Sequence, residues 1–171
     1  MAVRKILTVG HPTLTKKADA VERIDEELIR LAQDMVETMH RAPGVGLAAP
    51  QVDVSRRLIT VDLSVGENAA ELLILVNPEI VRQEGESISE EGCLSVPDIR
   101  EKVARPAWVL VKALDIGGRP VEVEGEDLLA RVLCHEIDHL DGRLFTDRLS
   151  PLKRTLVRKK LKKTAAAVPD L

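Results

Sequence analysis

Two histidines four residues apart, with a glutamate beside the first, stand in the stretch CHEIDHLDG, residues 134–142. On a helix, residues i and i+4 share a face, so His135 and His139 can point at one ion. Glu136 sits one step around, within reach of a water on that ion. Zinc-dependent hydrolases use this arrangement: two imidazoles bind the metal and the glutamate takes the water's proton. The plain alternative is a pair of surface histidines on an amphipathic helix, and HExxH alone does not choose between them. Context does. Leu128, Leu129, Val132, Leu133 and Leu140 make the segment largely apolar, and charged or imidazole groups in a buried turn are costly unless paired or ligated.

A catalytic ion needs a third protein ligand and an open position. The pattern HExxHxxGxxH runs here through Gly142 but ends on Phe145, which cannot ligate. No glutamate follows Glu136, and Asp147 is a weak substitute, so the third ligand is expected upstream. Cys93, in EGCLSVP (91–97), is the best candidate. A thiolate with two imidazoles suits iron, zinc, nickel or cobalt. The plain reading of Cys93 is a small buried residue. For Cys134 that reading is adopted, because the position next to His135 points about 100° away on a helix.

These residues need elements to hold them. Asp25 to Arg41 reads as a helix, with Leu28, Leu31, Ala32, Met35, Val36 and Met39 at helical spacing and acids at its start. GVGLAAPQ, residues 44–51, is too small and glycine-rich for a regular element. Arg57 to Leu63 and Glu71 to Asn77 read as strands. Ala107 to Asp115 and Arg119 to Glu124 form a hairpin around Gly117-Gly118. A helix runs from about Glu126 to Leu140, closed by Gly142. Ser150 and Pro151 open a last helix, and the tail after Lys163 is expected to fray. This order predicts an α+β fold with mostly antiparallel strands.

The 171 residues make one domain, residues 1–150, followed by a basic helix and tail, 151–171. A net charge of −3 gives no global attraction to nucleic acid or membrane, and no stretch is as long as a membrane span. Trp108 and Phe145 are the only aromatic residues, which excludes base stacking as a main mode of action. Neither DNA nor membrane is an expected partner. The N-terminus lacks a signal-peptide apolar region, so a cytoplasmic location is expected, and there a disulfide between Cys93 and Cys134 is disfavoured.

GVGLAAPQ (44–51), EGCLS (91–95) and HEIDH (135–139), in that order, closely resemble the three signature motifs of peptide deformylases. The resemblance covers about residues 1–160, and the bacterial type with a helical C-terminus is the nearest likeness. It implies antiparallel sheets packed around a central HExxH-bearing helix, with N- and C-terminal helices. It also implies a reaction, removal of the N-formyl group from the initiator methionine of nascent peptides with release of formate. By motif position, Cys93, His135 and His139 bind one divalent metal per chain and Glu136 is the acid/base. The family's usual ion is Fe2+, and Zn2+, Ni2+ or Co2+ are expected to substitute.

The resemblance further assigns Gln51 and the Leu94 backbone N–H to the oxygen that becomes negative during attack, where pre-aimed donors matter. It sets the substrate main chain beside Gly44, Gly46 and Gly92. Val45, Leu128 and Val132 are the expected lining of an apolar methionine pocket, though each could be ordinary core. Arg100 is a candidate for meeting the peptide at the entrance. Crowding by the metal, Gln51 and Leu94 would admit a formyl hydrogen and exclude an acetyl methyl. Arg131 must turn outward or pair. Asp138 either orients a ligand or forms a surface ion pair.

The last helix carries Lys153, Arg154, Arg158, Lys159, Lys160, Lys162 and Lys163 in a chain that is net acidic. Such a run is usually a solvated face. The sharper reading is an anchor for RNA phosphates, and some relatives dock on the ribosome through this helix. Two competing functions remain. One is a zinc endopeptidase, which Phe145 argues against. The other is a non-catalytic ribosome-associated protein, which the intact motifs argue against.

Overall fold

The computed structural model describes residues 2–167, with side chains as far as Lys163. Helix α1 (Glu26–Arg41) starts where Asp25 accepts the Leu28 N–H at 2.9 Å, the usual capping bond. Five antiparallel strands form the main sheet in the order β1 (Gly46–Ala48), β2 (Leu58–Val61), β3 (Leu73–Glu84), β6 (Trp108–Leu114) and β7 (Pro120–Glu126). Strands β4 (Ser87–Cys93) and β5 (Val96–Arg105) make a separate hairpin. Helices α2 (Leu128–Leu140) and α3 (Pro151–Ala167) follow. No helix among the described residues is long and apolar enough to cross a membrane.

The sheet is covered on both faces, and β2 shows how. Successive side chains of a strand point to opposite faces. Leu58 packs with Leu28, Leu31, Met35 and Met39 of α1. Ile59 and Val61 pack with Ala130, Leu133, Ile137 and Leu140 of α2. Leu75 and Val76 on β3 divide in the same way. The helix bearing His135 and His139 is therefore buried against the sheet, and its residues 130–140 are all below one tenth exposed.

Several boundaries differ from the sequence reading. GVGLAAPQ does form regular structure: Gly46 to Ala48 pair with Val61 to Ile59, and Ala49–Val52 turn as a 3₁₀ helix. Backbone pairing with β2 overrides the low propensity of the glycines. The second strand starts at Leu73 and runs on to Glu84, past Pro78, which is accommodated at a bulge between Val76 and Glu79. The last helix of the core starts at Leu128, because Glu126 still pairs with Trp108 in the sheet. Between them Asp127 turns the chain with φ +50° and ψ −115°. The expected hairpin is present, with Asp115 Oδ1 accepting the N–H groups of Gly117 and Arg119 at 2.9 Å each. α3 begins at Pro151, with Ser150 Oγ accepting the Lys153 N–H at 3.3 Å. It continues through Ala167 rather than fraying after Lys163; residues 168–171 lie outside the described residues. Val157 of α3 packs with Leu144, Phe145 and Leu149.

Candidate metal centre

α2 presents His135 and His139 side by side, their ring centroids 5.0 Å apart. β4 ends at Cys93, which brings the thiol to the same point: one ligand atom from each of Cys93, His135 and His139 lies within 4.8 Å of the others. Cys93 Sγ is 3.4 Å from His139 Nε2. His135 Nδ1 donates to Glu91 Oε1 at 2.8 Å, which leaves its Nε2 lone pair for a ligand. One thiolate and two imidazoles, converging and largely buried, are a donor set that fits a divalent transition metal. Phe145, the residue that interrupts the longer ligand pattern, stacks on the His135 ring at 6.0 Å. Asp147 is not part of the cluster; it accepts the Leu144 N–H at 2.9 Å.

Burial dominates the electrostatics. It pushes the Glu136 carboxyl up to about 7, against the pull of His135. Glu136 Oε2 is buried with no hydrogen-bond partner, as is His139 Nδ1. Burial and the neighbouring His135 hold His139 well below the usual imidazole range, in its neutral, ligating form. Burial also disfavours a charge on His135, but the hydrogen bonds to Cys93 and Glu91 outweigh it and raise the group; an ion at Nε2 would take the place of that proton. Cys134 faces the core, and burial lifts its thiol to about 11. It packs, as its helical position implied.

The centre opens into a cleft of about 480 Å³. Gly44, Val45, Gly46 and Gln51 line one side, and Gly92, Leu94 and Arg100 another, with His135 and Glu136 between them. Val132 is buried in its wall, while Leu128 stands at the rim, 54% exposed. Gly46 is required by closeness: a Cβ there would lie 2.6 Å from Glu136 Oε1. Gly92 has the Arg100 guanidinium across it, 2.8 Å from where a Cβ would be.

Gln51 is buried and its amide is oriented by its partners. Oε1 accepts the Ala48 N–H at 2.9 Å, so Nε2 faces the metal side. Nε2 donates to Ser95 Oγ at 3.1 Å and approaches Cys93 Sγ at 3.7 Å. The Ser95 N–H also reaches Cys93 Sγ, at 3.4 Å.

Behind the centre lies a buried ionic network that the sequence did not disclose. Glu91 accepts from Arg105 Nε at 2.8 Å, Arg131 Nη1 at 2.6 Å and His135 at 2.8 Å. Burial opposes its charge, but Arg105 and His135 outweigh that and hold it near 2. Arg105 also donates to Asp138 Oδ2 at 2.6 Å, which Arg148 Nε meets at 2.6 Å. Asp138 is thus neither a direct partner of a ligand histidine nor a surface group. Arg131 pairs rather than turning outward, donating also to the carbonyls of Val103 and Ser87 at 2.8 Å each. Glu91 was findable: it sits two residues before Cys93 on one strand, hence on the same face. Arg105 carried no such signal.

Residues 3–155 match the family model for polypeptide deformylase. The peptide deformylase of Acidobacterium capsulatum is 49% identical over 167 residues, covering 98% of each chain. That of Thermodesulfovibrio yellowstonii is 51% identical over 162 residues, 95% of this chain and 98% of its own. Among solved structures, the peptide deformylase of Legionella pneumophila superposes with a TM-score of 0.90 at 50% identity, covering 98% of this chain and all of its own. The Ehrlichia chaffeensis enzyme in complex with actinonin does so with a TM-score of 0.88 at 36% identity, covering 96% and 98%. A cysteine and an HExxH pair converging on one point beside a cleft, on a fold and sequence shared along nearly the whole chain, make this chain a member of the polypeptide deformylase family.

Proposed function

We propose that the cleft removes the formyl group from N-formylmethionyl nascent polypeptides, with Cys93, His135 and His139 holding one divalent ion per chain. The chain is a metal-dependent hydrolase of the deformylase family: water adds to the formyl carbon, the C–N bond breaks, and formate and a free amine leave. Ferrous iron is the proposed ion in the cell, with Zn2+, Ni2+ or Co2+ able to replace it. When bound, the ion supplies Lewis acidity and lowers the pKa of water.

The side chains do the rest. Glu136 accepts the proton of the attacking water and returns it to the departing nitrogen. Gln51 Nε2 and the Leu94 N–H donate to the oxygen as its charge develops. Glu91 fixes the His135 tautomer. Val45, Leu128 and Val132 receive the methionine side chain, Gly44, Gly46 and Gly92 let the peptide main chain lie close, and Arg100 meets it at the mouth. Crowding at Gln51 and Leu94 excludes an acetyl methyl. The reading is carried by one observation: three ligand atoms lie within 4.8 Å of one another, and two of their residues, Cys93 and His135, line the same cleft as Glu136, whose Oε2 has no hydrogen-bond partner.

The test is formate release from a formyl-Met peptide by protein purified without oxygen and loaded with Fe2+. Release is expected from the parent and lost, by roughly 10² or more, in Glu136→Gln at unchanged metal content. An acetyl-Met peptide should not be cleaved. Absence of release with one metal bound per chain would overturn the reading.

We further propose that residues 1–150 are the catalytic unit, acting in the cytoplasm, and that 151–171 dock it on the ribosome. The exposed basic residues Arg158, Lys159, Lys162 and Lys163 of α3 support this. Ribosome cosedimentation should weaken with salt and vanish on truncation after Pro151. Equal binding by the truncated protein would end the idea.

A further inference from the structure

The proposed oxyanion donor and the proposed thiolate ligand stand on different sheets. Gln51 follows β1 of the main sheet, and Cys93 ends β4 of the hairpin, and the two sheets are not paired with each other. One stretch of backbone bonds to both. The Leu7 N–H donates to the Gln51 carbonyl at 2.7 Å, and the Val9 N–H donates to the Ser95 carbonyl at 2.7 Å. These are among the shorter backbone bonds outside regular elements. The stretch is itself tied down. The Ala2 N–H donates to Asp34 Oδ1 and the Arg4 N–H to Thr38 Oγ1, each at 2.8 Å, on buried side chains of α1. Ile6 packs among the residues beneath α1.

We infer that the N–H groups of Leu7 and Val9 form a positioning strap that sets the distance between Gln51 and the Cys93–Ser95 turn. The inference rests on the roles given to Gln51 and Cys93 above. Its logic is geometric. Gln51 Oε1 is fixed by Ala48, so the amide can keep Ser95 Oγ at 3.1 Å and Cys93 Sγ at 3.7 Å only if the turn stays in place. The Ser95 N–H on the same sulfur lies within the turn and moves with it. Neither amide contact has slack: a slip of about 1 Å takes both beyond hydrogen-bond range, and misplacement of that size can cost roughly 10² in rate.

Leu7→Pro and Val9→Pro each delete one N–H, and Thr8→Pro, between them, deletes neither. Each variant is loaded with Fe2+ for kinetics and with Co2+ for the thiolate-to-cobalt absorption band. For Leu7→Pro and Val9→Pro, kcat should fall by about tenfold or more with KM little changed, and Thr8→Pro should keep the parent kcat. The cobalt band should shift in Val9→Pro and not in Thr8→Pro. On a Gln51→Ala background, Leu7→Pro should cost nothing further, as coupled residues behave. Three results would overturn the strap: an equal loss in Thr8→Pro, a full additional loss on the Gln51→Ala background, or an unchanged kcat with an unshifted band. If Gln51→Ala itself keeps the parent kcat, the oxyanion assignment has failed, and the band in Val9→Pro judges the strap alone, for it if shifted and against it if not. Should a proline variant not fold, the α-hydroxy acid at position 7 or 9 removes the same N–H, and its result is scored in the same way.

Discussion

Glu91 is the residue on which most of the site leans. Its two oxygens take hydrogen bonds from Arg105, Arg131 and His135. Removing one partner of a buried ion pair leaves the others uncompensated, and costs about 3–5 kcal/mol. Glu91→Ala is therefore expected to unfold at markedly lower temperature. Glu91→Gln keeps the shape, loses the charge and loosens the His135 ring; metal affinity should drop roughly 10–100-fold. Competition with a chelator measures it, and parent-like affinity would remove Glu91 from the account. The two proposed imidazole ligands were legible because helical periodicity is local: four residues put His135 and His139 on one face. Arg105 was not, because a buried arginine reads as a surface residue until its partners Glu91 and Asp138 arrive from elsewhere in the chain.

At the level of elements, two junctions carry the site. The first is β1 against α2, where Gly46 leaves room for the Glu136 side chain. Gly46→Ala should keep the fold and the metal, because the strained contact is with one side chain, yet lose most of its kcat as Glu136 swings away. Retained kcat would mean that Glu136 has another position from which it works. The second junction is β7 to α2, where Asp127 adopts φ +50° and ψ −115°, a conformation that costs an L-residue about 1–3 kcal/mol. Asp127→Gly should relieve part of it, raising stability by about 1 kcal/mol, read as a higher midpoint in urea at unchanged slope. The sequence made helices easy to see and the β4–β5 hairpin hard. Val96, Ile99 and Val103 are its buried apolar residues, but the charges around them and Pro97 hide the alternation. Asp98, at φ +62°, breaks the period further.

For the molecule as a whole, acid should act through its depressed carboxylates: Glu91 and Asp138 behind the centre, and Asp34 and Asp62, which fasten loops to helices. Burial opposes a charge on Asp34, but the Ala2 N–H and Arg4 outweigh it, and its pKa lies below 3.8. Asp62 is likewise disfavoured by burial and then lowered by Ser64, His40 and the Gly66 N–H. A depressed folded pKa means the unfolded chain binds protons first, so the stabilisation is present above about pH 4 and drains away as pH falls through and below 3.8. Urea unfolding from pH 6 down to 3 should follow that slope, and Asp34→Asn and Asp62→Asn should each flatten it. A parallel dependence in both variants would locate acid sensitivity elsewhere. Sequence gave no warning of either carboxylate, since each looks like an ordinary surface acid until its distant partners are known.

The span of the site along the chain also has a consequence for how the molecule is made. Its proposed parts are drawn from Leu7, Gln51, Cys93 and finally His139, with Arg148 closing the network behind them. Synthesis runs from the N-terminus and earlier parts fold first. The hairpin bearing Cys93 is thus made well before the imidazoles proposed to share an ion with it and the arginine that clamps Asp138. The proposed site is therefore incomplete in a growing chain until the segment through Arg148 has been made.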